Sequence, residues 1–403
     1  MTLMRLVWPA ALGLIIAGCA PSWAPRITEI QSPALAGASA EPRLSSFGGR
    51  IVLSWIERKA AHDAEVAWLK FSERTPKGWT PETTVATGEN WFLNAADVPS
   101  VIRIDDTTLA AHWLESNGAD PEGYDVKLVF SHDDGRTWSA PTTPHHDRTP
   151  TEHGFASLYP SPDGGLGLVW LDGRDGETMA VRAARFSKDG SQMSETVVKD
   201  HVCECCPTAV AVTANGAIVA FRNLGDRDVR DIYVARSPAG GSPSSPSWAA
   251  PVPVHGDGWQ IDACPVNGPA VTADGQAVAV AWFNAKVDQG RVFVTFSTDG
   301  GNTFGDAVRV DDGGSLGRVD VALLDHQSAV VGWIEYAGGR SEFRMRRVAS
   351  DGSRSASTVI SALGTGRPSG YPRMARAGRE LLFAWTESQD GLTRVRTASW
   401  EMR

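Results

Sequence analysis

Apolar, β-rich runs recur along this chain, each ending in an aromatic residue with a polar or charged residue two positions later. They are Ile51–Glu57, Leu109–Glu115, Leu166–Asp172, Ala217–Asn223, Ala277–Asn284, Ala329–Glu335 and Leu381–Glu387. The aromatic positions are 55, 113, 170, 221, 282, 333 and 385, spaced by 58, 57, 51, 61, 51 and 52 residues. A sustained period of this length marks a repeat architecture.

Each repeat parses as four strands. In the second, Val98–Ile104 and Leu109–Leu114 form the first two, and Asp125–Phe130 forms the third. The turn Ser131–Trp138 then leads to a short fourth. Gly, Asp and Pro clusters punctuate every run, and helical periodicity is nearly absent. Four-stranded units repeated in a ring predict an all-β, seven-bladed β-propeller, with six blades as the alternative if one repeat is an insertion. Repeat four, with Phe221 in place of Trp, is the weakest copy. The last repeat ends on its third strand, near Trp400, and Arg26–Ile30 is expected to supply the missing outer strand, closing the ring and removing a sheet edge.

Residues 1–18 stand outside this pattern. Arg5 is their only charge, and the apolar stretch Leu6–Ile16 is too short to span a bilayer. It runs into Leu14-Ile-Ile-Ala-Gly-Cys19, which resembles a bacterial lipoprotein signal. That resemblance implies cleavage before Cys19, lipid on its sulfur and, since Ala20 rather than Asp follows, outer-membrane sorting. Residues 19–40 then read as tether plus closing strand, and 41–403 as the propeller. No other segment is apolar enough to span, so the membrane is met through the lipid alone. Removing residues 1–18 takes the formal charge from -9 to -10. An acidic chain with no basic stripe argues against nucleic acid as a partner. Sheet closure favours a monomer.

The turn Ser131-x-Asp133-x-Gly135-x-Thr137-Trp138 and its copy Ser297-x-Asp299-x-Gly301-x-Thr303-Phe304 resemble the Asp-box of the sialidase and BNR-repeat superfamily. Shorter versions stand at Ser187–Gly190 and Ser350–Gly352. The Asp carboxylate can accept hydrogen bonds from turn amides, Gly supplies a positive φ, and the aromatic fills the space between strands. The resemblance implies that these boxes lie on the face opposite the ligand site. That site then lies where second strands end and first strands begin, a face that gathers Glu57, Glu115, Asp172, Arg174, Asp175, Arg222, Asn223, Asn284, Glu335 and Glu387. First strands add His153, His201, Asp262, Arg318, Tyr371 and Arg373.

A sialidase needs three arginines for a carboxylate, a tyrosine nucleophile with a glutamate, and an aspartate acid/base. Tyr371 lies late in the chain, with Glu335 and Glu387 as candidate partners. The family's Phe/Tyr-Arg-Ile-Pro motif is absent: the first repeat offers Glu41-Pro42-Arg43-Leu44, and Tyr371-Pro372-Arg373 stands in the wrong blade and order. Seven blades also depart from the family's six.

The four cysteines of the mature chain beyond Cys19 cluster in His201-Val-Cys203-Glu-Cys205-Cys206-Pro207 and Asp262-Ala-Cys264-Pro265-Val-Asn267, which open repeats four and five. Two disulfides in an oxidising compartment are one reading, with three pairings, one of them a vicinal Cys205–Cys206 bridge. Thiolate binding of copper or zinc is the other, with His153 and His201 as further ligands and His145 and His146 in the same connection. The charged loop Phe221–Asp231 lies beside them and brings Arg222 and Arg227 toward the mouth.

These features place the site on repeats three to five. The leading expectation is a lipid-anchored propeller, outside the cytoplasm, binding a glycan or an anionic small ligand. Its ligand set is Arg174, Asp175, Arg222, Asn223, Arg227, Asn267, Tyr371 and Arg373. The alternatives are an exo-acting glycosidase using Asp172 with Glu115, and a copper or zinc protein centred on Cys203, Cys205, Cys206 and Cys264. No cofactor is firmly implied.

Overall fold

The computed structural model describes residues 25–34, 38–61, 64–118, 123–176, 178–238, 247–364 and 369–402. The signal segment and Cys19 lie outside the described residues.

Seven antiparallel sheets follow one another, each holding one aromatic phrase on its second strand. Blade 1 is built on Ala38–Phe47, Arg50–Ala61 and Ala64–Thr75, with Gly78–Trp79 and Thr83–Gly88 outside. Its first strand begins at Ala38, earlier than the expected boundary at 41. Blade 2 is Ser100–Arg103, Leu109–Ser116 and Tyr124–Ser131, its outer position reduced to a single bridge between Leu128 and Thr142. Blade 3 is His153–Pro160, Leu166–Asp172, Met179–Phe186 and Gln192–Val202. Blade 4 is Ala209–Thr213, Gly216–Arg222, Ile232–Pro238 and Val252–Pro253. Blade 5 is Ala270–Asp274, Ala277–Asn284, Arg291–Ser297 and Val308–Arg309. Blade 6 is Ser315–Asp325, Ser328–Ala337, Arg340–Ala349 and Thr358–Leu363. Blade 7 is Arg373–Ala377, Glu380–Gln389 and Leu392–Glu401, completed by Thr28–Ile30 from the other end of the chain. That closing strand pairs Thr28 with Ser399 and Ile30 with Thr397, as the sequence predicted. First strands of successive blades touch all the way round, the last against the first.

The core is seven seams rather than one centre. Trp113 of blade 2 packs with Leu69 and Phe71 of blade 1, and Trp170 with Leu128 and Phe130 of blade 2. Phe221 packs with Val181 and Ala183 of blade 3, and Trp282 with Ile232 and Val234 of blade 4. Trp333, Trp385 and Trp55 repeat the arrangement on blades 5, 6 and 7. Each phrase therefore delivers its aromatic to the third strand of the blade before it. Burial of a large apolar side chain contributes about 1.5–3 kcal/mol.

The Asp-boxes lock the turns into third-to-fourth connections. Asp133 Oδ1 accepts from the Thr137 amide at 2.9 Å and Oδ2 from the Thr137 hydroxyl at 2.7 Å, while the Gly135 amide donates to Ser131 Oγ at 2.8 Å. The blade 5 box repeats these contacts through Asp299, Thr303, Gly301 and Ser297. Hydrogen bonds from Thr137 hold the Asp133 carboxyl down at about 2. The box also reaches the preceding blade: Trp138 meets Phe71 edge-on at 6.1 Å, and a Cβ on Gly135 (φ +81) would lie 2.4 Å from Phe71 Cζ.

Gly135→Ala is therefore expected to destabilise the fold by more than the roughly 1–2 kcal/mol of left-handed strain alone. Gly352→Ala (φ +85, with nothing within 4 Å of its Cβ) should cost only that strain. Equal losses for the two variants in urea unfolding would show that the box glycine is not packed against blade 1.

Candidate functional site

The first strands enclose a central cavity of about 540 Å³. Their register sets its lining. Arg43, Ser100, Ser157, Ala209, Ala270, Asp320 and Arg373 each pair with the residue immediately before a phrase aromatic, and so form one layer around the axis. The layer is lopsided. Blades 6, 7 and 1 contribute Asp320, Arg373 and Arg43, blades 2 and 3 serine, and blades 4 and 5 alanine.

Two other arginines lining the cavity are fully engaged. Arg103 donates to Glu73 at 2.6 Å and Asp134 at 2.8 Å, and Arg376 to the carbonyls of Leu323 and Leu324. Among the described residues, Arg43 and Arg373 donate no hydrogen bond to protein, and Arg373 Nε is buried without a partner. The carboxylate facing them is Asp320, which already accepts the Met374 amide at 2.7 Å and the Val321 amide at 2.9 Å. Burial, then the Arg373 charge, brings the Arg43 guanidinium down to about 9. Burial pushes Asp320 up although Arg373 opposes it. Two guanidiniums against one carboxylate leave the layer biased toward an anion. Tyr371 lies beneath Arg373, with ring centroid and guanidinium 5.2 Å apart, and its hydroxyl donates to the Val266 carbonyl at 2.5 Å.

The residues expected on repeats three to five are mostly committed elsewhere. Asp172 is fully buried and accepts the Trp170 indole at 2.7 Å and two Arg174 nitrogens at 2.7 Å. Burial raises its pKa, but Arg174 and Trp170 outweigh burial and hold the carboxyl below its ordinary value. Glu115 accepts the Trp113 indole at 2.9 Å, and Glu335 the Trp333 indole at 2.5 Å. In blades 2, 3 and 6 the acid two residues after the aromatic is thus a structural partner for the indole N–H, whereas Trp55 Nε1 and Trp385 Nε1 stay unpartnered although Glu57 and Glu387 follow them. Asp172 with Glu115 is not an exposed catalytic pair. Arg174 also pairs with Asp147 at 3.2 Å and Glu195 at 2.8 Å, and the exposed Asp175 with Arg182 at 2.8 Å. Arg222 is buried and spends its guanidinium on the carbonyls of Asn267, Arg230 and Phe283. Asn223 is buried in the same corner, its amide donating to the Asp231 carbonyl. Asn267 braces Pro265, Leu316 and the Arg318 amide. Arg227 stands exposed in the helical turn Asp226–Asp228. Only Tyr371 and Arg373 of the expected ligand set line the central cavity.

The cysteines converge as their positions in adjacent blades required. Cys203 Sγ lies 3.3 Å from Cys206 Sγ and 3.9 Å from Cys205 Sγ. Cys264 and Cys205 share a second group with Glu204. Arg230 Nη1 donates to Cys203 Sγ at 3.2 Å. Hydrogen bonding with Cys205 and Cys206 lowers the Cys203 pKa. His201 is exposed and belongs to neither group, and His153 belongs to a different one.

That second cluster was half legible in the sequence. His145 and His153 are buried and stacked, with ring centroids 3.7 Å apart and planes 5° from parallel. Asp125 Oδ1 faces one edge, 3.9 Å from His145 Nε2 and 3.7 Å from His153 Nδ1. Asp147 faces the other edge, 3.4 Å from His145 Nδ1 and 3.3 Å from His153 Nε2. Burial, then His153, brings His145 down to about 4. The histidines were visible as a cluster in the connection from repeat two to repeat three, but their carboxylate partners were not. Aligning first strands by register would have found Arg43 and Asp320.

Asp97 was also missed. It is buried and accepts the Phe155 amide at 2.6 Å and the Tyr124 hydroxyl at 3.3 Å. Burial raises its pKa to about 7. The folded protein thus keeps this proton to near pH 7, while the unfolded chain releases it near 3.8. Its stability contribution is present below that lower value and lost as pH rises through about 7. Against Asp97→Asn, the wild type should lose unfolding free energy between about pH 4 and pH 8. A difference that stays flat with pH would show that Asp97 is ionised in the fold.

A family model described as "BNR repeat-like domain" matches residues 49–379. No curated protein sequence matches the chain. Among solved structures, the polysaccharide lyase Uly1 aligns at 11% identity and a TM-score of 0.51, over 92% of this chain and 90% of that one. The Hadza microbial sialidase Hz136 aligns at 20% identity and 0.44, over 73% and 63%. The Penicillium chrysogenum alpha-L-arabinanase, solved with arabinobiose, aligns at 14% identity and 0.47, over 94% and 99%.

Proposed function

The chain belongs to the BNR repeat-like domain family, and from that premise we propose that it is a lipid-anchored binding protein, outside the cytoplasm, whose central cavity holds an anionic glycan or small carboxylate. The observation that carries this reading is the channel layer in which Arg43 and Arg373 face a single carboxylate, Asp320, and donate no hydrogen bond to protein among the described residues, with Arg373 Nε buried and unpartnered. Guanidinium groups suit carboxylate and sulfate, which accept two parallel N–H bonds. The ligand centre accordingly shifts from repeats three to five to blades 6, 7 and 1. The anchor is part of the reading because Leu14–Cys19 matches a lipoprotein signal.

Arg43→Gln should weaken binding of a uronate-bearing oligosaccharide about 10- to 100-fold, the scale of one lost charge-assisted hydrogen bond. Its neutral counterpart should bind the variant and the wild type equally weakly. Equal calorimetric affinities of the wild type for acidic and neutral sugars would overturn the reading.

A second reading rests on the convergence of Cys203, Cys205, Cys206 and Cys264 beside Arg230. These thiols either close two disulfides or hold a soft ion such as copper or zinc. The intact mass of the mature domain, purified without reductant or chelator, separates the two. A loss of four hydrogens with nothing bound means cystines, whereas an added metal mass with intact thiols makes the cluster a metal centre.

A further inference from the structure

We propose that the stacked histidines between blades 2 and 3 form a binding site for a divalent first-row transition-metal ion, with His145 Nε2, His153 Nδ1 and Asp125 Oδ1 as protein ligands. This site is independent of the cysteines and of the central cavity.

The argument begins with unmet polar groups. His145 is 4% exposed and His153 is 0% exposed. Both nitrogens of His145 and Nδ1 of His153 are buried without a hydrogen-bond partner. Each such group costs about 1–3 kcal/mol when left unsatisfied. Two imidazoles stacked face to face cannot satisfy one another, because their lone pairs lie in the ring planes. A cation at the shared edge satisfies both at once.

Geometry selects the edge. The three donor atoms lie within 4.8 Å of one another. Asp125 Oδ1 stands 3.7 Å and 3.9 Å from the two ring nitrogens. Two donors on one tetrahedral ion, with bonds of about 2.0–2.1 Å, stand roughly 3.3 Å apart. A closure of about half an ångström, together with a rotation of the two rings out of their parallel stack so that their in-plane lone pairs converge, brings all three onto one ion. On the far edge Asp147 lies 3.4 Å from His145 Nδ1 and 3.3 Å from His153 Nε2. For His153, whose Nε2 is hydrogen-bonded to Asp147, that is the arrangement in which a carboxylate behind a ligating histidine fixes its tautomer and raises its basicity.

Two neutral imidazoles and one carboxylate suit a borderline ion such as Zn2+, Co2+ or Fe2+, rather than Ca2+ or Mg2+, which take oxygen ligands. Three protein ligands leave coordination positions for water or an oxygen donor. Asp125 and His145 also line a cavity of about 550 Å³ from which such a ligand can enter.

Co2+ is the probe, added to metal-free, folded mature protein and followed by visible absorption. One equivalent should bind, giving d–d bands without thiolate-to-metal charge transfer. The signal should survive Cys205→Ser and be lost in His145→Ala. Asp147→Asn should weaken binding about 10- to 100-fold. If His145→Ala does not fold, His145→Gln, which keeps most of the side-chain volume, takes its place with the same expected loss. Failure of folded wild type to take up Co2+ would overturn the proposal. So would a signal that follows the cysteines and ignores His145. Because blades 6, 7 and 1 carry the anion site, loss of oligosaccharide binding in Arg43→Gln leaves this result untouched, and the two readings fail separately.

Discussion

The packing of one aromatic side chain against the third strand of the preceding blade is the constraint on which the rest of this molecule depends. It recurs at Trp55, Trp113, Trp170, Phe221, Trp282, Trp333 and Trp385 and produces seven separate seams. Because the aromatic fixes where the second strand sits, it also fixes the register of the first strand beside it. The residue opposite the position before the aromatic then faces the axis. The charge of the channel therefore follows from the same contacts that hold the blades together.

This constraint explains both what the sequence revealed and what it concealed. The repeat period, the blade count and the closing strand were legible because hydrophobic pattern alone specifies them. Turn chemistry was legible at Asp133 and Asp299 because the hydrogen bonds to these two carboxylates come from within the box. The carboxylates ending the phrases misled for a physical reason. A glutamate or aspartate at a strand end looks like a ligand for solvent or substrate, yet in an extended strand the side chain two residues on shares a face with the aromatic, and after Trp113, Trp170 and Trp333 it meets the indole N–H. Repeat four is consistent with this rule: Phe221 has no N–H to donate, and the residue two positions on is Asn223 rather than an acid. Trp282 has Asn284 there instead, and borrows Asp257 from the preceding connection at 2.6 Å.

Arg222 shows the other limit of sequence reading. A charged loop beside cysteines suggested a guanidinium reaching over the mouth, but Arg222 turns inward to cap three carbonyls and lies 5.0 Å over Trp259. Which arginines remain free depends on contacts that reach across as many as 61 residues, which no local motif records. Arg43, read only as a departure from a family string, is one of two channel arginines that donate no hydrogen bond to protein among the described residues. The polar clusters are also segregated: two guanidiniums and a carboxylate on blades 7, 1 and 6, thiols where blades 4 and 5 meet, and imidazoles between blades 2 and 3.

The closing strand has a consequence in time. Thr28–Ile30 pairs with a strand that lies at the far end of the chain, and the Thr397 hydroxyl meets the Ile30 carbonyl across 367 residues. During synthesis the partner of this strand is made some 367 residues after it, so the ring cannot seal before the seventh blade exists. Until then the seventh sheet has an open edge able to recruit a foreign strand. A three-residue clasp is a modest gain set against so long a loop, whose closure entropy nonetheless grows only slowly with length. Assembly must therefore draw mainly on the seams already formed between neighbouring blades, which leaves the clasp as the final step and the first contact that a nascent or damaged chain would lack.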